Sequence, residues 1–344
     1  MANKHGKSIA RAAGLAAAAG GAALAAGSLA HSLFLSRKAA ASGLNSLAKE
    51  HVLGGAAPPA RQGLLPRLLD EASGLDDFFK KPYFPSFQAG VKWFYEQNPE
   101  KIAIASPRGG RIHADMIRNE TPCDVWVICL HGFTSTPRDF GGAAKVYHEW
   151  GWNTLLPYLC GHGDSEDESV SMGWLDRLDV AAWIDYLVRE FGNPKIILHG
   201  VSMGAATTMM TTGEVLPPNV VCAVADCGYT SVWDEYAVQA RETLHIPVFM
   251  IHALDAIVRI KQGFSLKEAS CVAQLRKSKT PTLFIHGEAD VFVPFRMLDE
   301  VYDACAAEKE KLSVPGAGHA ESAYEAELYY GAIRDFIGRY LPAA

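Results

Sequence analysis

The stretch from Lys195 to Ala206 constrains this chain more than any other. It reads Lys-Ile-Ile-Leu-His-Gly-Val-Ser-Met-Gly-Ala-Ala. The short apolar run at Ile196, Ile197 and Leu198 has the length of a buried strand, and Ala205 and Ala206 open a helix. Between them, Gly200-Val201-Ser202-Met203-Gly204 has the G-x-S-x-G spacing of a nucleophile elbow, in the strand–turn–helix context that spacing requires. The reason is steric. A serine on a sharp turn needs neighbours without side chains, so Gly200 and Gly204 let strand and helix approach closely. Ser202 then stands at the helix N-terminus, where the Met203 N–H can face a developing oxyanion.

A chain of 344 residues with 49% apolar content can bury one large core, and one catalytic domain is the simplest count. The net charge of −6 leaves no basic footprint for nucleic acid. Cys123, Cys129, Cys160, Cys222, Cys227, Cys271 and Cys305 are odd in number and scattered, so a disulfide framework is not expected. No C-x-x-C or His/Cys run suggests zinc, and no metal site is expected. Cys129 and Cys222 lie in apolar runs and read as small core residues.

Residues 12 to 35 carry no charge and are mostly Ala, Gly and Leu, between Lys4, Lys7 and Arg11 on one side and Arg37 and Lys38 on the other. Roughly 20 apolar residues suffice to span a bilayer. Residues 1–38 therefore read as a retained signal anchor, with a signal peptide cleaved near Ser28-Leu29-Ala30 and a soluble Ala-rich helix as alternatives. The charge balance slightly favours an extracytoplasmic domain on a single N-terminal anchor. Residues 39–90 mix Ala, Gly, Pro and charge, and read as a tether with a lead-in helix around Leu64–Phe79. The main domain is expected over 91–344.

Within it, Ile102–Ser106 and Arg111–Ile117 flank Pro107-Arg108-Gly109-Gly110 as a hairpin. Asp124–Leu130 is a near-continuous apolar strand, as expected when both sheet faces are covered. Strands at Asn153–Pro157, Lys195–His199, Val220–Ala225, Thr282–Ile285 and Lys311–Val314 alternate with helices at Arg138–Trp150, Gly173–Phe191, Phe295–Ala306 and Ala320–Tyr340. That rhythm predicts an α/β fold with a doubly wound, mostly parallel sheet. The interval between Ala225 and Thr282 breaks it with helix-like pieces and no strand. It reads as a small helical lid, about 229–278, over the strand ends. Its Tyr229 and Trp233 either line an acyl pocket or pack the lid on the body.

A serine hydroxyl needs a base to take its proton, and the base needs a carboxylate to orient it. Asp290, just past a strand in His286-Gly-Glu-Ala-Asp290-Val-Phe-Val-Pro294, is the candidate acid, with Glu288 and Asp226 as rivals. His319, in the glycine-rich Pro315-Gly-Ala-Gly-His319, follows it by about thirty residues, giving the order Ser, Asp, His. Upstream, His131-Gly132-Phe133 follows a strand and places the Phe133 N–H as a second oxyanion donor, with His131 shaping the loop. Gly161-His162-Gly163 reads as a rim loop, with His162 a candidate for touching substrate.

With these pieces in order, residues 90–340 resemble the α/β-hydrolase superfamily. Within it they resemble the serine-aminopeptidase and monoacylglycerol-lipase-like branch, and its membrane-tethered bacterial hydrolases of unassigned substrate. The resemblance rests on His131-Gly132-Phe133, Gly161-His162-Gly163, the Ser202 elbow, Asp226-Cys227, His286-Gly287 with Asp290 and Pro294, and Gly318-His319. It implies a Ser202–His319–Asp290 triad that hydrolyses an ester, thioester or amide without a cofactor. The expected activity is hydrolysis of a small or lipid-like carboxylic ester. A peptidase or acyltransferase with the same triad is the alternative, and an idle membrane-tethered binding module is the third reading. An aminopeptidase would need clustered lid acids to hold an amine; Asp234, Glu235, Glu242, Asp255 and Glu268 are spread along the lid sequence.

Overall fold

A computed structural model describes residues 49–54, 80–243, 245 and 247–341. The anchor expected over residues 1–38 and the lead-in helix expected over 64–79 lie outside these residues. No helix among the described residues is long and apolar enough to cross a membrane.

The centre of the sheet is β3 (Val125–Leu130), all six of whose residues are buried. Alternation sends them to opposite faces. Trp126, Ile128 and Leu130 join one hydrophobic cluster, and Val125, Val127 and Cys129 join the other. The neighbouring strands are β1 (Glu100–Ala105), β2 (Arg111–Ile117), β4 (Asn153–Pro157), β5 (Lys195–Val201), β6 (Val220–Asp226), β7 (Thr282–Gly287) and β8 (Lys309–Val314). Their order is β1-β2-β4-β3-β5-β6-β7-β8. The β1–β2 and β2–β4 pairs are antiparallel, and every later pair is parallel. Cys129 and Cys222 are buried in the second cluster, and all seven thiols are free. The alternating, doubly wound arrangement read from the sequence is the one observed.

Short α1 (Lys49–Gly54) and α2 (Phe84–Glu96) precede the sheet. The crossovers are α3 (Gly141–Glu149), entered through a 3-10 turn at Pro137–Phe140, then α4 (Asp176–Phe191) and α5 (Met203–Thr212). The interval after β6 contains α6 (Val232–Val238), a π turn at Gln239–Thr243, α7 (Phe249–Gln262) and α8 (Cys271–Leu275). The chain closes with α9 (Met297–Ala304) and α10 (Ala326–Gly338). Side chains from α3 and α10, among them Tyr147 and Phe336, cover one face of the sheet; Trp183 of α4 and Met209 of α5 cover the other.

Two boundaries differ from the sequence reading. The first is α2, which the expected domain boundary at residue 91 divides. Pro85 sits in the first helical turn, where its missing N–H has no intrahelical partner to lose. The second is α4, which begins at Asp176 because Gly173 takes φ +89. The Asp176 carboxylate accepts from the Gly173 and Cys160 N–H groups, anchoring the helix start.

The α2–α3 contact is made backbone to backbone. A Cβ on Gly90 would lie 2.5 Å from the Gly142 nitrogen and 2.7 Å from its Cα. Neither atom belongs to a side chain that can swing away. Gly90→Ala is therefore expected to lower the unfolding free energy by about 1–3 kcal/mol through overpacking. Chemical denaturation of the full chain measures this, and an unchanged midpoint would refute the contact.

Candidate functional site

At the end of β5 the backbone turns within one residue. Ser202 takes φ +58 and ψ −118, a conformation that strains any residue with a side chain. Two glycines make room for it. A Cβ on Gly200 would overlap the Gly204 carbonyl and sit 2.6 Å from Thr208 Oγ1. One on Gly204 would overlap the Leu130 carbonyl and lie 2.8 Å from that of His131. Gly200 thus joins strand to helix, and Gly204 joins the helix to the end of β3. Ser202 N–H donates to the Asp226 carbonyl at 2.8 Å, which fixes the turn to β6.

The structure brings Ser202, His319 and Asp290 together from three separate loops. Ser202 Oγ lies 2.8 Å from His319 Nε2, and His319 Nδ1 lies 2.8 Å from Asp290 Oδ2. Asp290 Oδ1 accepts from the Phe292 and Val293 N–H groups, each at 2.9 Å. With both carboxylate oxygens occupied, the ring is held in one orientation. The neutral tautomer with its proton on Nδ1 presents a bare Nε2 to the serine. Burial pushes the Asp290 carboxyl up, but the hydrogen bonds from His286 and His319 outweigh it and hold the group down at about 2.

Glu288 is exposed, and Asp226 is buried with its Oδ1 accepting from Ser322 Oγ, so neither rival acid replaces Asp290 beside His319. His286 enters the same carboxylate. Its Nε2 lies 3.1 Å from Asp290 Oδ2 and 3.0 Å from the Val293 carbonyl, so it carries a proton shared between two acceptors. Sequence reading placed His286 only within a motif. An imidazole four residues before the acid, at the end of a buried strand, is the signal that marks it.

The His319 loop is fastened on both sides. Ala289 N–H donates to the Ala317 carbonyl at 2.9 Å, and Glu288 N–H donates to Val314 at 3.0 Å. On the far side Gly318 N–H donates to Glu321, which also accepts from Lys81 Nζ at 3.0 Å and Tyr83 OH at 2.9 Å.

The His131-Gly132-Phe133 turn comes to the serine as expected. A Cβ on Gly132 would lie 3.5 Å from Ser202 Cβ and 4.0 Å from its Oγ. His131 is buried, with Nδ1 on the Gly132 carbonyl and Nε2 accepting from Leu159 N–H. Burial pushes it down to about 3, so it is a neutral brace. His162 departs from the expected rim position. It is fully buried, Nδ1 bonds the Cys160 carbonyl at 2.9 Å, and Nε2 accepts from Thr134 N–H at 3.2 Å. Burial lowers it to about 4. Nε2 braces the turn beside Phe133 and Nδ1 the loop of His162 itself, so His162 has no nitrogen to offer substrate.

The lid residues divide. Tyr229 is buried and donates to the Met172 carbonyl at 3.0 Å, so it packs the lid on the body and lines no open acyl pocket. Trp233 is half-buried on an outer groove with Asp234 and Glu300, under the Lys267 ammonium at 4.3 Å. Glu235 of α6 was not distinguished from other lid acids in sequence, yet it is buried. Its Oε1 accepts from Gln239 Nε2, which also donates to the Phe292 carbonyl, while Oε2 has no partner. Burial, joined by the nearby Asp290 and Glu242 charges, pushes its carboxyl up to about 8.

Among the described residues, two clusters gather three possible metal-ligand atoms. Cys160, Asp167 and Asp179 already surround the Arg108 guanidinium, which occupies that position as the cation. Cys227 lies with Asp290 and His319.

Residues 125–245 match the family model described as the alpha/beta hydrolase fold. The chain is 24% identical over 222 residues to the uncharacterised protein YqkD of Bacillus subtilis strain 168, covering 64% of this chain and 72% of that protein. It is 30% identical over 90 residues to the thermostable monoacylglycerol lipase of Bacillus sp. strain H-257, covering 25% and 34% of the two. The structure of Pyrococcus furiosus esterase Pf2001 aligns with a TM-score of 0.59 at 20% identity, covering 72% of this chain and 93% of that one. Pyrococcus horikoshii acylaminoacyl peptidase aligns at 0.54 with 16% identity, covering 71% and 41%. The fold is the α/β-hydrolase fold, and the family model and structural neighbours support that superfamily.

Glu235 sets a pH dependence of stability. In the folded chain Glu235 keeps its proton up to about 8, whereas a free glutamate loses it near 4.5. Unfolding between those limits releases a proton, so stability falls as pH rises through the interval and levels above it. Glu235→Gln retains the shape and cannot ionise. Its unfolding free energy relative to the parent is expected to grow from near zero at about pH 4 to on the order of 2–4 kcal/mol at about pH 9. Parallel pH profiles in urea denaturation would exclude this.

Proposed function

We propose that this chain is a serine hydrolase that cleaves a carboxylic ester of a small or lipid-like acyl substrate through an acyl-enzyme. The observation that carries the reading is Ser202 on its strained turn, with Oγ 2.8 Å from His319 Nε2. In this mechanism Ser202 attacks the acyl carbonyl as His319 accepts its proton. Asp290 holds the imidazole tautomer and stabilises the imidazolium that forms. The Phe133 and Met203 N–H groups receive the oxyanion; one such donor is worth about 3 kcal/mol in the transition state. His319 returns the proton to the leaving alcohol, then activates the water that releases the acid. No cofactor takes part in these steps.

A peptidase with the same triad is the second reading, and the likeness of the fold to the Pyrococcus horikoshii acylaminoacyl peptidase is what favours it. An acyltransferase would use the same groups with another acyl acceptor in place of water. Residues 12–35 are proposed as a membrane anchor that leaves the domain extracytoplasmic.

Ser202→Ala is expected to abolish labelling by a fluorophosphonate probe. It should also reduce p-nitrophenyl ester hydrolysis by about 10³-fold or more, and Asp290→Asn by a similar order. Retained turnover in Ser202→Ala would overturn the assignment. Comparing p-nitrophenyl esters with aminoacyl p-nitroanilides on the parent enzyme separates esterase from peptidase. Labelled protein in the membrane fraction, lost on deletion of residues 1–38, would support the anchor.

A further inference from the structure

Cys227 follows β6 directly, two residues ahead of the lid. It is fully buried at the end of β6 and holds φ +49, a left-handed conformation unusual for cysteine. Its N–H donates to the Ile285 carbonyl at 2.9 Å, and the Ser202 N–H donates to the carbonyl of the preceding residue, Asp226, which places Cys227 beside the elbow. Its Sγ, a carboxylate oxygen of Asp290 and a ring nitrogen of His319 all lie within 4.8 Å of one another. Neither the fold nor the hydrolysis described above uses this thiol.

We infer that Cys227, Asp290 and His319 form a binding site for a thiophilic divalent cation such as Zn²⁺ or Cd²⁺, whose occupancy switches Ser202 off. The inference rests on the hydrolase reading only for its effect on turnover; the binding itself is independent of that reading.

The donor set suits such an ion. One sulfur, one imidazole nitrogen and one carboxylate oxygen are the ligands zinc takes in tetrahedral sites, with the fourth position left to water. Ligand atoms at zinc-bonding distance are roughly 3.5 Å apart around a tetrahedral ion, so three atoms within 4.8 Å need only a small closure. The charges balance, since one thiolate and one carboxylate neutralise the dication. That removes the usual cost of a buried ion. Burial pushes the free thiol well up, and a coordinated cation overcomes this by displacing its proton to solvent.

The consequence for the serine follows from proton positions. The ring nitrogen bonded to Asp290 is Nδ1, so the cation inserts where the Nδ1 proton lay. That proton moves to Nε2, which then cannot accept from Ser202 Oγ. The net change is uptake of one M²⁺ and release of the one thiol proton. No bond to the serine forms or breaks. The base is simply held in the wrong tautomer.

The test titrates p-nitrophenyl ester hydrolysis by the full chain with Zn²⁺ in a non-coordinating buffer. Activity is expected to fall and return on addition of EDTA. Cys227→Ser should turn over substrate like the parent but require at least about tenfold more Zn²⁺ for the same inhibition. Equal sensitivity would overturn the site and leave the hydrolase reading intact. A second measurement needs no turnover: Cd²⁺ titration followed by thiolate-to-metal absorption in the near ultraviolet. One equivalent of that band should vanish in Cys227→Ser, and in His319→Gln should need at least about tenfold more Cd²⁺. A band unchanged in His319→Gln would refute the proposal even if Cys227→Ser did not fold.

Discussion

The arrangement depends on one close approach, that of the α5 backbone to the ends of β3 and β5. Gly204 lies against the Leu130 and His131 carbonyls, and Gly200 against Gly204. That contact lets Ser202 hold a left-handed backbone at a cost of about 1–3 kcal/mol. It also brings the turn after β3 up to the serine, so one steric fact sets both the hydroxyl and the peptide groups expected to face it. The parallel β3–β5 and β5–β6 pairings supply the rigidity that keeps this strain from relaxing. Asp290 and His319 then need only reach a fixed point, and their loops are joined to each other by backbone bonds ahead of any side-chain contact.

Much of this was written into local sequence. The unbroken apolar run in β3 signalled a strand covered on both faces, and its alternation into two clusters is the physical content of that signal. The elbow spacing was legible because glycine was required at two fixed offsets. The acid and base were legible because each follows a strand end within a turn-rich segment. Helix starts were less so: the boundary expected at residue 91 falls inside α2, and α4 begins at Asp176 where the sequence pattern extends it back to Gly173.

What the sequence did not disclose depends on contacts between distant segments. His162 sits in a Gly-His-Gly run that reads as an exposed loop, yet Thr134 and Cys160 bury it completely. Glu235 has the same local pattern as other lid acids, and only the packing of α6 toward the acid loop separates it from them. Cys227 meets Asp290 and His319 across two further strands, so no spacing rule for metal ligands could have gathered the three.

The tie from Lys81 and Tyr83 to Glu321 has a different kind of consequence. Glu321 holds the Gly318 amide, one residue from His319, so Lys81 and Tyr83, just ahead of α2, are hitched to the histidine loop. Tyr83 also stacks on Tyr324 at 3.8 Å, doubling the hitch. Proteolytic trimming that reaches Lys81 and Tyr83 therefore touches the histidine loop before it touches any strand of the sheet. A chain cut just ahead of Phe84 keeps every strand and every sheet helix, and loses the outer fastening of its histidine.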